Sequence, residues 1–542
     1  MNLKNLLNKE KIKSWLNERT RISNPPLKRT PDYMRKWGGK WYWTGALITI
    51  VFLYEVITGL VLLLYYNPSD PYGATQYVLN SIPYGSLLLS THLYGAYAMI
   101  ILVYVHMFRN YFAGAYKRPR EIQWIIGVIL LALTLGAGYF GYSLTGDVLS
   151  YDAQDVGKGI ASSIPVIGNL LVNIGFGNGT PTSLFSRFLG WHIIFAGLIF
   201  LLFGYHFYLA ESNSMLPSGK ISNYKAPAIT EDSLDMKPWY PYNFIYMVEL
   251  GMFTLGFVIL VPSILGMIPS VPILLSPFPG PPQNSLAASS IPAYPPWFLL
   301  FAYKAVDFSI FQGPTSYLQA MTVFTLIPII YFLAVPFIDR KESLHPLDRP
   351  IITSFGILSI VYLIVLSIWG AFTPGVIISI PVMLEVLLPP AIITIFSMLI
   401  FSKLWRDGKL SVKQRDITIS FYIFITGLIS SIIAFSIFIS DTREFLTLSF
   451  SIRLFLLLGS ISFFGIGTVK VTPSLPENKI KTFPGIGYVM IAIILVLSWI
   501  IALNAIRLNP YHQAMLVGVA LGSIFILSGI SVAIYRRIVY KE

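Results

Sequence analysis

The 542 residues contain no cysteine. That excludes disulfides, cysteine-ligated iron-sulfur clusters and covalently attached c-type haem, and leaves metal chemistry to histidine and carboxylate. A zinc site is unpromising on the same ground. Charge is also scarce, at 12% of residues. The net charge of +13 gives no sign of a nucleic-acid surface, because the basic residues stand in short segments between apolar runs. The first forty residues hold 11 Lys or Arg and 3 acids and lack both an apolar stretch and a small-residue cleavage pattern. They read as a retained cytoplasmic arm, residues 1 to 40, rather than a signal peptide. Leu3, Leu6, Leu7, Ile12, Trp15 and Leu16 give part of that arm a surface that can lie on an anionic membrane.

What the chain has in quantity is apolar length. Hydrophobic residues make up 55% and the mean hydropathy is +0.68, which places the chain among integral membrane proteins of all-α class. Twelve candidate spans cover 41–65, 88–111, 122–144, 189–210, 244–266, 315–337, 351–373, 380–402, 418–440, 450–470, 484–505 and 514–536. An even number puts both termini on one side. The arm, Lys117/Arg118/Arg120, Lys220/Lys225/Lys237, Arg340/Lys341/Arg349, the 403–415 segment, Lys470 to Lys481 and Arg536/Arg537/Lys541 share that side. By the positive-inside rule it is cytoplasmic, in a plasma-membrane protein. Two connections on the opposite side are long, 145–188 and 267–314, and loops of that length are more often functional than idle.

Four of the six histidines form two pairs, His92/His106 and His192/His206, each separated by fourteen residues inside an apolar run. Fourteen residues are close to four helical turns, so the two rings of a pair face the same way about 21 Å apart. The second and fourth spans run in the same direction. Facing each other, they set His92 opposite His192 near the outer face and His106 opposite His206 near the cytoplasm. Each level then offers two imidazoles, the axial ligands of a b-type haem, and two non-covalent haems follow. The plain alternative is four histidines that bond to neighbouring helices. Gly45 and Gly59 in the first span, and Gly127 and Gly141 in the third, repeat the fourteen-residue period and suit close approach to a flat macrocycle; ordinary helix packing is the other reading. Arg109 and Arg187 are candidates for the haem propionates or for snorkelling boundary charges. His345 and His512 lack such a context.

The chain resembles the cytochrome b subunit of quinol:cytochrome c reductases and of the b6f complexes, in a prokaryotic and archaeal-like form. The resemblance spans about residues 37 to 404 and is carried by Glu55 to Leu60 (EVITGL), the histidine pairs, Gly127 to Leu131 (GVILL), Phe140 to Tyr142 (FGY), Arg187 before His192, and Pro295 to Tyr303 (PPWFLLFAY). It implies a dihaem four-helix bundle at the N-terminal end and quinol oxidation near the outer face. One electron would leave through a Rieske iron-sulfur partner and the other would cross to a second quinone site, with proton translocation. It further implies a cytochrome c1-like or terminal-oxidase partner and a homodimer within a larger complex in the bilayer.

Residues matching the family's quinol site are Phe140, Gly141, Tyr142, Tyr151, Ala153 and Ile160 in the first long loop region. Pro295, Pro296, Trp297, Phe298 and Tyr303 match it in the second. The family usually reads Pro-Glu-Trp-Tyr where this chain has Pro-Pro-Trp-Phe. Pro296 cannot accept the quinol proton, so Asp152 is the first substitute and Asp307 the second, with Tyr142 or a water chain also open. At the inner quinone site, where mitochondrial members have a further histidine, this chain has Ala210, Glu211, Ser212 and Asn213. Glu211 and Glu249 are candidate proton relays there. Leu89 stands where the family usually has an arginine three residues before the first ligand.

The expected organisation is the arm, a dihaem core over 41–210, a C-terminal cytochrome b region over 211–404 carrying the 267–314 quinol loop, and a four-helix membrane extension over 405–542. The extension holds no histidine pair and reads as a lipid-packing or docking unit. A dihaem subunit of a quinol oxidase supercomplex feeding a haem-copper oxidase is the near alternative. A dihaem anchor for a dehydrogenase would not require the glycine pairs or the long loops. A secondary transporter is disfavoured because the six-span halves do not visibly repeat.

Overall fold

The computed structural model describes residues 9–20, 30–31, 43–213, 216, 225–228, 236–409 and 484–540. Leu3, Leu6, Leu7, Lys220, Lys470 to Lys481 and the expected spans 418–440 and 450–470 lie outside the described residues. Among those described, ten helices are long and apolar enough to cross a membrane. The fold is therefore an all-α, multi-pass membrane protein. Its described strands are two dipeptides, Thr30–Pro31 paired with Met236–Lys237.

The helices are numbered here in chain order. A polar α1, Lys9–Thr20, is followed by α2, Thr44–Leu63, a short α3, Pro71–Ser81, then α4, Gly85–Phe112, and α5, Glu121–Tyr142. The first long loop folds into α6, Val148–Ser162, and α7, Gly168–Gly175, before α8, Pro181–Asn213. Next come α9, Phe244–Leu265, and the short α10, Leu300–Val306, which ends the second long loop. The remainder are α11, Ser316–Ile338, α12, Pro350–Phe372, α13, Ile380–Arg406, α14, Pro484–Ala505, and α15, Ala514–Tyr540.

Helix is the natural answer to these sequences, since in hydrocarbon each backbone polar group must be satisfied within its own segment. The helices carry two local exceptions. A π-turn over Thr322–Leu326 interrupts α11, and Pro262 sits in the last turn of α9. The first long loop starts with an N-cap: the Asp147 carboxylate accepts the Ser150 backbone N–H at 3.0 Å.

Two helix pairs form the N-terminal bundle, α2 along α4 and α5 along α8. The principal core lies where α4 and α5 meet α11 and α12, around Tyr111, Trp124, Phe332 and Val335. A polar staple joins these halves. Asp339 accepts from Tyr116 at 2.5 Å, pairs with Lys117 at 2.9 Å and lies 3.3 Å from Arg349. Burial alone would raise the Asp339 carboxyl, but the Tyr116 and Lys117 hydrogen bonds and the Arg349 charge hold it below the usual range. Nearby, α1 is fastened to the same end by Arg19 to Glu121 at 2.8 Å.

The end of the chain packs into this body. α15 runs antiparallel to α9, placing Met515 by Gly266, Gly518 by Ser263, Gly522 by Gly256 and Arg536 by Glu249. A Cβ on Gly256 would stand 3.0 Å from the Gly522 carbonyl, and one on Gly522 would stand 2.9 Å from the Gly256 carbonyl. Glycine at both positions is what lets the two backbones touch.

Candidate functional site

The period in the sequence becomes a stack in space. α4 carries His92 and His106, α8 carries His192 and His206, and the rings meet level by level. His92 and His192 have ring centres 6.4 Å apart at 79°, and His106 and His206 have theirs 6.4 Å apart at 72°. Two metal–nitrogen bonds of about 2 Å, with roughly 1.1 Å from each nitrogen to its ring centre, sum to about 6.2 Å. Each pair therefore stands at the separation that one iron atom between two imidazoles requires.

Every imidazole also has a glycine against its edge. A Cβ at Gly45 would lie 3.5 Å from His106 Cε1, and one at Gly59 would lie 3.2 Å from His92 Cε1. On the other helix pair the corresponding distances are 3.2 Å from Gly127 to His206 and 2.7 Å from Gly141 to His192. All four glycines predicted from spacing thus face all four histidines, one each.

Three of the four rings, those of His192, His92 and His106, are held by the nitrogen that would not bind metal. His192 Nδ1 donates to the Ala137 carbonyl at 2.9 Å, so its Nε2 carries the lone pair. Thr58 Oγ1 lies 2.9 Å from His92 Nδ1 while its own proton goes to the Tyr54 carbonyl at 2.8 Å, which makes His92 Nδ1 the donor. Thr44 Oγ1 lies 2.8 Å from His106 Nδ1. Sequence reasoning missed both threonines, although a Thr-Gly dipeptide recurs at 44–45 and 58–59 with the histidine period. It also passed over Glu55 as a site residue, whose Oε2 is 3.1 Å from His92 Nδ1. On the other ring nitrogen, Asn110 Nδ2 is 3.1 Å from His106 Nε2, a contact that metal ligation would replace. This donor set fits a bis-imidazole haem at each level.

A family profile described as "Cytochrome b(N-terminal)/b6/petB" matches residues 97–279. A cytochrome b of Sulfolobus acidocaldarius is 42% identical over 395 residues, covering 69% of this chain and 68% of that protein. The chain belongs to the cytochrome b family. It is an electron-transferring, quinol-oxidising oxidoreductase subunit of a bc-type respiratory complex. A cytochrome b subunit of a cytochrome bc complex from Chlorobaculum thiosulfatiphilum is 28% identical over 373 residues, covering 66% of this chain and 80% of its own. Among solved structures, a chain of a hyperthermophilic respiratory Complex III shares the fold with a TM-score of 0.53. It is 23% identical and covers 74% of this chain and 99% of its own. Family membership implies b-type haem and sets aside the transporter reading.

Against the cytochrome b pattern, the two long loops converge as a roof over the His92/His192 end. Asp147 joins them: Oδ2 accepts the Gly280 N–H at 2.5 Å and Oδ1 accepts the Thr145 hydroxyl at 2.7 Å. Pro295, Pro296 and Phe298 are buried, and Trp297 stands edge-on to Tyr97 with centres 5.4 Å apart. Phe140 packs among Phe188, Trp191 and Phe195, while Tyr151 meets Phe185 and the Ala153 carbonyl accepts from Tyr139. Tyr142 lies against Val148 and Leu149.

The two substitute carboxylates have different surroundings. Asp152 has an Oδ2 that is buried with no hydrogen-bond partner, and the Tyr294 backbone N–H, next to Pro295, reaches the same carboxyl group. Burial pushes this carboxyl up to about 6, with Tyr294 opposing and the charges of Asp155 and Asp147 adding to the rise. Asp307 is instead 2.9 Å from the Lys304 ammonium, which is fully buried and also bonds the Thr373 carbonyl at 2.7 Å. Tyr303 is raised to about 12 by burial, with Asp307, Tyr317 and Asp152 near enough to add to the shift.

Of the remaining predicted residues, Arg187 lies at the roof end of the bundle and the others at the His106 end. Arg109 is buried one turn beyond His106 and donates to Asn110 Oδ1 at 2.6 Å. Arg187 falls inside α8, which begins earlier than its apolar run, and donates to the Ser183 carbonyl at 3.1 Å and hydroxyl at 2.5 Å. Glu211 is in the last turn of α8. Glu249 is paired with Arg536 at 2.8 Å, an arginine that the sequence pattern placed only among the cytoplasmic basic residues.

Proposed function

We propose that two b-type haems are held between His92 and His192 and between His106 and His206, with quinol oxidised beneath the roof at the His92 end. When bound, the haems supply a pair of one-electron redox centres spaced across the membrane. In this reading both termini are cytoplasmic, and a Rieske iron-sulfur protein docks on the outer loops. A cytochrome c1-like protein or terminal oxidase lies beyond it, and two copies of the chain assemble in the larger complex. Arg109 and Arg187 meet propionates, and Glu211 and Glu249 serve the inner quinone.

The chain's own part in quinol oxidation is to bind the ring and remove its protons. Pro295, Pro296, Trp297 and Phe298 wall the site with apolar surface and keep water from it. Trp297 Nε1 is buried without a hydrogen-bond partner, which suits a donor for a quinol or quinone oxygen. Asp152 takes the proton that a glutamate at position 296 would otherwise accept.

The observation that carries this assignment is the partnerless Oδ2 of Asp152, on a carboxyl that the Tyr294 backbone reaches just before the two prolines in the chain. A base needs a lone pair not already committed to a donor and a raised pKa; Asp152 Oδ2 has no hydrogen-bond partner, and burial raises the carboxyl to about 6. Asp307 has its carboxylate bound to Lys304. Two measurements test the reading. A pyridine haemochrome assay with redox titration should find two non-covalent b haems per chain, and none would end the haem assignment. Asp152→Asn should slow quinol oxidation by on the order of 100-fold while haem content is kept; an unchanged rate would move the base elsewhere.

A further inference from the structure

The last helix of the chain reaches the His106 level through side chains. Arg536 Nε donates to Glu249 Oε2 at 2.8 Å, and the two side chains are only 7% and 8% exposed. The same guanidinium lies 4.7 Å above the Tyr246 ring. Tyr246 is edge-on to Trp43 with centres 5.2 Å apart, and Trp43 precedes Thr44, whose hydroxyl is 2.8 Å from His106 Nδ1. A charge from α15 is thus three side-chain contacts and one peptide link from a candidate haem ligand.

We infer that Arg536 is a positioning residue for the inner redox level: α15 is a working part of the electron-transfer core, and the Arg536–Glu249 pair sets the electrostatic environment of His106. A buried ion pair is an expensive way to fasten one apolar helix to another, and packed hydrophobic residues often do as well or better. α15 already has such packing, with Gly518 and Gly522 seated against α9. The pair must therefore be explained by where it lies as well as by what it joins. In a low-dielectric setting a buried charge acts over longer distances than on a wetted surface.

The inference rests on the reading of His106 and His206 as a haem level, and the test separates the two. The haem midpoint potentials are measured by equilibrium redox titration of the full chain in its native membrane complex. Arg536→Gln leaves the Glu249 carboxylate uncompensated, favours the ferric state and should lower the inner potential. Glu249→Gln removes one negative charge from the pair and should raise it. The double variant should return close to the original value, Arg536→Lys should restore most of it, and the outer potential should stay in place throughout.

Shifts of the same sign in both single variants, or no shift in either, would overturn the inference, because a purely structural pair has no reason to move one potential in opposite directions. If Arg536→Gln fails to assemble, Glu249→Gln alone decides, and an unmoved inner potential counts against the proposal. A chain that lacks the inner haem before any substitution would refute the haem assignment instead.

Discussion

The two histidine levels are close to copies of one another, whereas the two ends of the molecule built around them are not. At both levels an imidazole from α4 faces one from α8 across 6.4 Å, a glycine lies against each ring, and a threonine of α2 holds the α4 ring at Nδ1. Beyond the His92 level stands a roof of two long loops joined by Asp147, with Asp152 inside it. Beyond the His106 level stand Arg109, Asn110 and an ion pair half of which comes from the last helix. The repeated part is set by helical periodicity. In the proposed reading, proton chemistry needs different groups on the two sides and falls to the parts that do not repeat.

The comparison can be broken most sharply at the ligands. His106→Leu should take the haem count from two to one and leave the His92/His192 level spectroscopically intact, since about 21 Å of helix separates the two. Loss of both haems from a folded chain would show that the levels are not independent.

A second test concerns Asp152 and pH. As a base the carboxyl must be ionised, so quinol oxidation should fall as the pH drops through about 6, the value to which burial raises it. Asp152→Asn should abolish that step in the pH-rate profile. A step that persists in the variant would belong to another group.

The equivalence of the four glycines can be graded. A methyl at Gly141 would lie 2.7 Å from His192, and one at Gly45 would lie 3.5 Å from His106. Gly141→Ala should therefore disturb haem binding by about 1–3 kcal/mol, with Gly45→Ala close to neutral. Equal losses in haem retention would mean that the glycines serve helix packing rather than the rings.

The smallest effect expected is on the roof. Asp147→Ala removes an N-cap and leaves the Gly280 N–H without its acceptor, a cost of about 1–3 kcal/mol read from thermal unfolding with both haems retained. Haem loss before unfolding would tie the roof to the bundle more closely than its contacts suggest.

Much of the core was legible in the chain itself. Ten of the twelve expected spans coincide with described helices to within a few residues, apart from α8, which begins eight residues before its expected start. The fourteen-residue period placed four histidines and four glycines correctly relative to one another because a helix converts spacing into direction. Thr44 and Thr58 were legible in principle from the repeated Thr-Gly pair. Asp307 and Glu249 were harder, because a lone acid in a sequence does not reveal whether a lysine three residues on the other side or an arginine 287 residues away will meet it.

The sequence alone determined the membrane class, the helical period and the two-level histidine stack, all of which follow from apolar length and 3.6 residues per turn. Tertiary structure decided which carboxylates are left with an open oxygen and which are matched to a cation. It also brought α15 back against α9. Those outcomes depend on which distant segments come to share a buried space, where a charge must find a partner or carry the cost of lacking one.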